Sequence, residues 1–435
     1  MTPAMGRARE RRTLAALWLL VFAVTSQFMV LAPVLPRIAD QLGVPVARLG
    51  TLVTGYSVAV AAVALLAGPV SDRVGRRRML LAGAAAMAVG LALHGAARGY
   101  GALLAVRVVT GAAGGVLTGA TAAYVADAFP PERRGLANGW VASGMAVGQV
   151  VGIPLGTLLA AGWGFRLPFL AFGGAMALAA AMVWRWVPQP EVPRAAGPLD
   201  LRAAARDYAA LLRVPAVPVA VAAFCATYLG MALYTLYLPA WLERSRGLAP
   251  GEVAALFAAG GVATALAGPP AGRLCDLWGR KRLTVAASLG LAAATLATPW
   301  AARGPWSAYA VFFLASALVA ARGGPFQTLL TELVPEDRRG SLMSLSMAAG
   351  QAGWGLGAAL AGSAFGRWGY ASNALAAAGA ALAVTLLVGR WVPETAAPGP
   401  LRPPPAPPPR PPRGAPAPPR PGSAAGAPPG PGRAP

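Results

Sequence analysis

Long apolar runs, most of them near 20 residues, alternate along this chain with short polar or basic segments. A helix crossing the hydrocarbon core of a membrane needs about 20 mostly apolar residues, and irregular backbone at that depth leaves its peptide groups without partners. The pattern predicts twelve spanning helices. Six lie near 14–36, 49–70, 79–97, 102–124, 136–161 and 167–187, and six more near 216–241, 253–272, 283–301, 307–329, 342–364 and 371–391. The expected fold class is an all-α polytopic membrane protein of two six-helix halves. Its expected organisation is a cytoplasmic tail at 1–13, a half at 14–188, a cytoplasmic linker at 189–214 and a second half at 215–393. A Pro-rich tail at 394–435 follows, with no apolar periodicity; it is expected to be disordered, a passive basic segment near anionic lipid.

The halves carry a repeat. Gly68-x-x-x-Asp72-Arg73-x-Gly75-Arg76-Arg77 returns 204 residues later as Gly272-x-x-x-Asp276-x-x-Gly279-Arg280-Lys281, each copy between two apolar runs. A charged loop repeated at one point of two hydrophobic halves implies a duplicated bundle whose halves move against each other. Gly68 lets two helices pack closely, and Gly75 permits the tight reversal between spans two and three. Asp72 is well placed to face the positive N-terminus of a helix from the other half, a contact of about 0.3–1 kcal/mol. Arg73 and Arg76 are expected to pair with Asp127, at the inner end of span four. In the second copy Leu277 and Trp278 follow the Asp, which implies a weaker latch.

Composition agrees with a membrane protein: 56% of the 435 residues are apolar and 12% charged, about half the charged fraction of a soluble domain. The mean hydropathy is +0.56. The net charge of +22 comes from arginines in short loops and tails, not from one solvated face. It therefore sets topology by the positive-inside rule and does not imply a nucleic-acid partner. The N-terminal tail, both repeated loops, the loops carrying Arg133, Arg134, Arg338 and Arg339, the linker and the C-terminal tail share one side. That side is expected to be cytoplasmic, with both termini inside. Cys225 and Cys275 lack metal-ligand spacing and read as isolated thiols, so no metal site is expected. One histidine and two unpaired cysteines offer no catalytic acid, base or nucleophile pair, which disfavours a membrane enzyme.

Four signatures carry a family resemblance: the Gly68–Arg77 loop with its repeat, Arg107-x-x-Thr110-Gly111, the Gly/Pro run from Gly144 to Gly156, and the paired loops Pro131-Glu132-Arg133-Arg134-Gly135 and Pro335-Glu336-Asp337-Arg338-Arg339-Gly340. In this order the chain resembles a major facilitator superfamily transporter, in the twelve-span drug:proton antiporter branch of bacterial drug and sugar exporters. The resemblance implies that Asp72 meets the helix beginning after Gly340 and Asp276 the one beginning after Gly135. It implies proton coupling through Arg107, and an antiporter helix marked by Gly144, Gly148, Gly152, Pro154 and Gly156 that seals the bundle against leak. It implies alternating access in the bacterial cytoplasmic membrane, no cofactor, the proton gradient as energy source, and a monomer whose partners are lipid, protons and a small organic substrate.

Mid-span polar and aromatic residues are the candidate substrate contacts: Gln27, Gln149, Tyr228, Gln351 and Trp354. Such a lining suits an amphipathic or neutral organic molecule. All fifteen carboxylates lie in loops, tails or near span ends, whereas a proton carrier is often a buried acid. Asp40, beyond Pro36 at the outer end of span one, is the nearest substitute; it reads equally as a helix terminator or an ion-pair partner of Arg37. His94 reads as interfacial. Export of drugs, sugars or a metabolite against protons is the expected function. An uncoupled facilitator and a transporter-like sensor with a signalling tail are the alternatives.

Overall fold

The computed structural model describes residues 6–190 and 201–394, the side chains at 68, 69, 72, 131, 201–204, 276 and 337 excepted. The predicted tail beyond 394 and part of the linker thus lie outside the described residues. Among the described residues every regular element is helical. The first half comprises α1 (Arg7–Met29), α2 (Leu31–Leu42), α3 (Gly50–Val74), α4 (Arg76–Leu93), α5 (Tyr100–Ala128), α6 (Pro131–Val147), α7 (Ile153–Trp163) and α8 (Arg166–Trp186). α9 (Leu201–Leu212) leads into the second half. There follow α10 (Ala216–Thr235), α11 (Leu238–Arg246), α12 (Pro250–Trp278), α13 (Arg280–Ala301), α14 (Pro305–Thr331), α15 (Arg339–Trp368) and α16 (Tyr370–Trp391).

Ten of the helical segments are long and apolar enough to cross a membrane. α4 and α15 fall short on composition alone. α4 spans 18 residues and opens on Arg76, Arg77 and Arg78, while α15 is rich in Gly and Ser and carries Gln351. The helices run several residues past the predicted apolar runs at many ends, because capped polar turns extend a helix beyond its greasy stretch.

The halves repeat one another's packing. α3 lies on α5 as α12 lies on α14, and α4 packs on α5 and α8 as α13 packs on α14 and α16. α1 contacts α6 and α8 as α10 contacts α15 and α16. The chain ends of both halves lie at one end of the bundle, the near end, and the α2–α3 and α11–α12 turns lie at the other, the far end. α1 gives way to α2 at Val30, and α10 to α11 at Leu236 and Tyr237, ahead of Pro33 and Pro239 respectively. Proline removes a backbone donor, so the helix is broken or bent at equivalent depths.

The described part of the linker is largely helical. Within it α9 buries Leu211 and packs Tyr208 with Val217, Val334 and Leu342, so this amphipathic helix docks on the near end of the second half.

Candidate functional site

At the near end the repeated loops are built alike. Gly75 and Gly279 take φ of 102° and 91°, a region that L side chains rarely adopt, so glycine is required at both reversals. The Arg76 Nε donates to Asp127 Oδ2 over 2.6 Å, and Arg280 pairs with Glu332 at the matching place. The backbone N–H of Arg77 donates to Gln189 Oε1 at 3.1 Å, and that of Lys281 to Glu394 Oε1 at 3.1 Å. Each loop is therefore bolted to two later segments, one at the end of α5 or α14 and one just beyond the last helix of its half. Arg73 also has an interaction. The surroundings of Gly68 and the side chains of Asp72 and Asp276 lie outside what is described; Gly272 has open space where a Cβ would stand. Of the predicted latch residues, Arg76 and Asp127 are brought together. Glu332, Gln189 and Glu394 are additions that the loop motif did not announce.

Both partners of the Arg76–Asp127 pair are largely shielded, with side-chain exposures of 16% and 21%. We expect the double-mutant cycle of Arg76→Ala and Asp127→Ala, read by thermal unfolding, to give a coupling of about 1–2 kcal/mol. Additive losses would mean the contact contributes nothing.

The predicted glycine series has a partner in its own half. A Cβ on Gly144 would lie 2.6 Å from the Trp18 carbonyl oxygen, and one on Gly148 3.2 Å from that of Phe22. A Cβ on Gly152 would meet the Ser26 side chain, and one on Gly156 that of Val30. Trp18, Phe22, Ser26 and Val30 stand at four-residue steps on one ridge, which beds in the glycine groove. Between α6 and α7 the chain makes a π turn, Gly148–Gly152. Pro154 brings no N–H to the ladder, so the hydrogen-bond register slips there.

Arg107 is fully buried, as are Gln27 and Thr110. Its Nη1 donates to Gln27 Oε1 at 3.0 Å, and Gln27 Nε2 donates to the Tyr56 hydroxyl at 3.0 Å. The guanidinium also sits 4.4 Å from the centre of the Tyr56 ring, an arrangement that favours a desolvated cation. Its Nε and Nη2 have no hydrogen-bond partner among the described residues. Arg107 is thus not an interfacial arginine reaching for water. His94 is also buried, against the interfacial expectation: its ring stacks on Phe169 at 4.3 Å and its Nδ1 lies 2.9 Å from the Gly90 carbonyl oxygen. The end of an apolar run marked its position, but α8 packs across that end and covers it. Asp40 stands apart from this cluster. It is exposed at the far end and pairs with Arg244 at 2.8 Å, while Arg37 pairs with Glu243. The expected Asp40–Arg37 contact is corrected accordingly.

Those two ion pairs tie α2 to α11 across the halves, and a seal continues beneath them. The Tyr237 hydroxyl accepts from the Gly50 N–H at 2.8 Å and donates toward the Val46 and Ala47 carbonyls. Thr54 Oγ1 donates to the Gly355 carbonyl over 2.8 Å. A Cβ on Gly50 would strike the Ala358 carbonyl oxygen, and one on Gly362 that of Ala47. The far end is closed by direct backbone approach.

Under the seal lies a cavity of about 80 Å³ with walls from both halves. Its aromatic lining is Phe28, Phe257, Phe312 and Trp354, and Gln149 contributes an amide. Of the predicted substrate contacts, Gln149 and Trp354 line it. Tyr228 packs behind, with its ring 6.3 Å from that of Trp354. Gln351, one turn before Trp354, has a buried Oε1 without a hydrogen bond among the described residues. Gln27 belongs instead to the Arg107 cluster. The phenylalanines were missed because a lone mid-span Phe reads the same in a cavity wall as against lipid.

The family model of the Major Facilitator Superfamily matches residues 17–249 and 220–429. The chain belongs to that superfamily. Among its relatives is an uncharacterised transporter of this type from Bacillus subtilis, YceJ, 26% identical over 80% of this chain and 88% of the relative. The multidrug resistance protein MdtG of Yersinia enterocolitica is 30% identical over 44% of this chain and 48% of its own length. A chloramphenicol resistance protein of Pseudomonas aeruginosa is 34% identical over 38% of this chain and 40% of its own. Against those two named resistance proteins the alignment spans less than half of either chain. Of solved structures, a D-xylose–proton symporter superposes with a TM-score of 0.71 at 18% identity, covering 89% of this chain and 99% of that one. This superfamily member therefore shares the symporter's fold.

Proposed function

We propose that the chain is a secondary active transporter exporting small organic compounds, drug-like molecules or sugars and metabolites, across the bacterial cytoplasmic membrane in exchange for protons. It works by alternating access. The near end is cytoplasmic, and α4 and α15 join the ten apolar segments as crossings, twelve in all. One observation carries the reading: a mostly apolar cavity built by both halves lies directly under a closed far end. Such a site changes its side of access if the seal parts while the near-end loops lock. The lining suits an amphipathic molecule with a large apolar body, and the relatives named for multidrug and chloramphenicol resistance support a drug-like substrate. Arg107 and its Gln27–Tyr56 network are the proton-coupling candidates, and Asp72 the latch that breaks and re-forms.

An uncoupled facilitator is the second reading. It is favoured by the fact that no described carboxylate lines the cavity, so the usual buried acid is missing from the place where a proton and a substrate would compete.

Efflux of dyes and antibiotics from pump-deficient bacteria separates the two. Expression of the chain is expected to give efflux that a protonophore stops and that Asp72→Asn abolishes at equal expression. Efflux that continues down a gradient without proton force would favour the facilitator, and the absence of efflux for every compound would remove the drug-like substrate.

A further inference from the structure

A second, small cavity of about 40 Å³ lies inside the second half between α10, α13, α14 and α16. Met231 and Thr235 line both this cavity and the central one, so the two chambers share a wall on α10. Besides Met231, half of the lining is apolar, chiefly alanines, and Thr227, Thr295 and Ser316 add hydroxyls. One member is charged. Arg322 is only 3% exposed and lines the cavity.

Arg322 differs from the other buried arginine in lacking a hydrogen-bond partner among the described residues. Arg107 has the Gln27 oxygen and the Tyr56 ring. Arg322 makes no hydrogen bond, ion pair or ring contact with a described residue. A guanidinium stripped of water and left without an acceptor is costly, and such a charge at membrane depth faces a ligand path or a cavity. One hydroxyl of the same lining, that of Ser316, makes no hydrogen bond with a described residue. Among the described residues no carboxylate lines the chamber to compete for the cation.

We infer that this chamber is an anion subsite: Arg322 receives the carboxylate or sulfonate head of an amphipathic organic anion, with Ser316 as a supplementary donor. The apolar body of the same molecule lies against the Met231–Thr235 wall, toward the aromatic chamber. A guanidinium offers a planar carboxylate two parallel N–H donors, a fit that a neutral head cannot reproduce. The inference deepens the transport reading above, since it names the substrate class of that cavity system.

The test is equilibrium binding of 1-naphthaleneacetate and of its neutral amide, 1-naphthaleneacetamide, to the purified full-length protein. The carboxylate is expected to bind about tenfold tighter than the amide. Arg322→Gln is expected to bring that ratio to about one, and Arg322→Lys to keep part of it. A wild-type ratio of one, including no binding of either compound, overturns the inference, as does a ratio that survives Arg322→Gln. Thermal unfolding guards against a merely structural arginine. Ligand-free Arg322→Met is expected to melt no lower than wild type, because it loses an unpaired buried charge; a drop of several degrees would assign Arg322 to the fold instead. Dye efflux is scored separately. Anion discrimination in a chain that moves nothing would leave the subsite standing and overturn the transport reading, whereas efflux without discrimination would sink the subsite alone.

Discussion

Arg107→Ala is expected to lower transport about 100-fold, the scale on which a positioned proton-transfer group contributes, while the melting temperature changes little. The two effects separate because the arginine is poorly satisfied. Only its Nη1 has a hydrogen bond, and its Nε and Nη2 are buried without partners among the described residues. Removing such a charge relieves a desolvation cost. The space it leaves loses packing against Tyr56 and Phe169, which costs in the other direction. Gln27 and Tyr56 keep their mutual hydrogen bond, so the substitution does not strand the whole network. The measurement is substrate flux per folded molecule in proteoliposomes, beside thermal unfolding of the same preparation. If Arg107 were a structural strut, the pattern would invert: unfolding would come earlier and the surviving molecules would transport normally.

The second large effect concerns the closed end. Gly362→Leu is expected to disfavour the far-end-closed state by about 2 kcal/mol, an overpacking cost that shifts the population about thirtyfold. The Cβ it adds points at the carbonyl oxygen of Ala47, and the Tyr237 hydroxyl lies 2.8 Å away. Neither neighbour is the loose end of a flexible side chain. α15 and the chain before α3 must therefore separate there. The opening is read by a membrane-impermeant thiol reagent on a cysteine placed at Val46, which is 5% exposed when the end is closed. Faster labelling in the Gly362→Leu background is the expected result. Unchanged labelling would mean that the end relaxes locally without parting.

How much of this was legible in the chain differs from residue to residue. The loops at Gly75 and Gly279 were readable because a positive φ permits little but glycine, and the flanking charges recur at the same spacing. Their bolts were not, since Glu332, Gln189 and Glu394 lie 52, 112 and 113 residues from the groups they hold. A signal did exist: Trp186-Val187-Pro188 and Trp391-Val392-Pro393 recur, each followed by a side chain with an accepting oxygen, Gln189 or Glu394. The glycine groove of α6 and α7 was visible as a small-residue stripe, but its partner ridge on α1 was not, because apolar ridges of that kind occur on most spans. Arg107 announced itself as a charge within an apolar run. Tyr56 did not, since a tyrosine there serves equally well at an interface or in a core. For Asp40, Arg37 was the nearest cation in sequence, yet the far-end closure places Arg244 closer in space and hands Arg37 to Glu243. Sequence proximity decides pairings only where the fold brings nothing nearer.

The central claim is that proton movement through this bundle drives an organic solute across it. Its most direct test uses the purified full-length protein in sealed liposomes, loaded with a solute identified by the efflux screen and subjected to an imposed pH difference. The account predicts that solute accumulates on the proton-rich side against its own gradient, and that Arg107→Ala abolishes the accumulation. Solute that only equilibrates, at a rate indifferent to the pH difference, would contradict it.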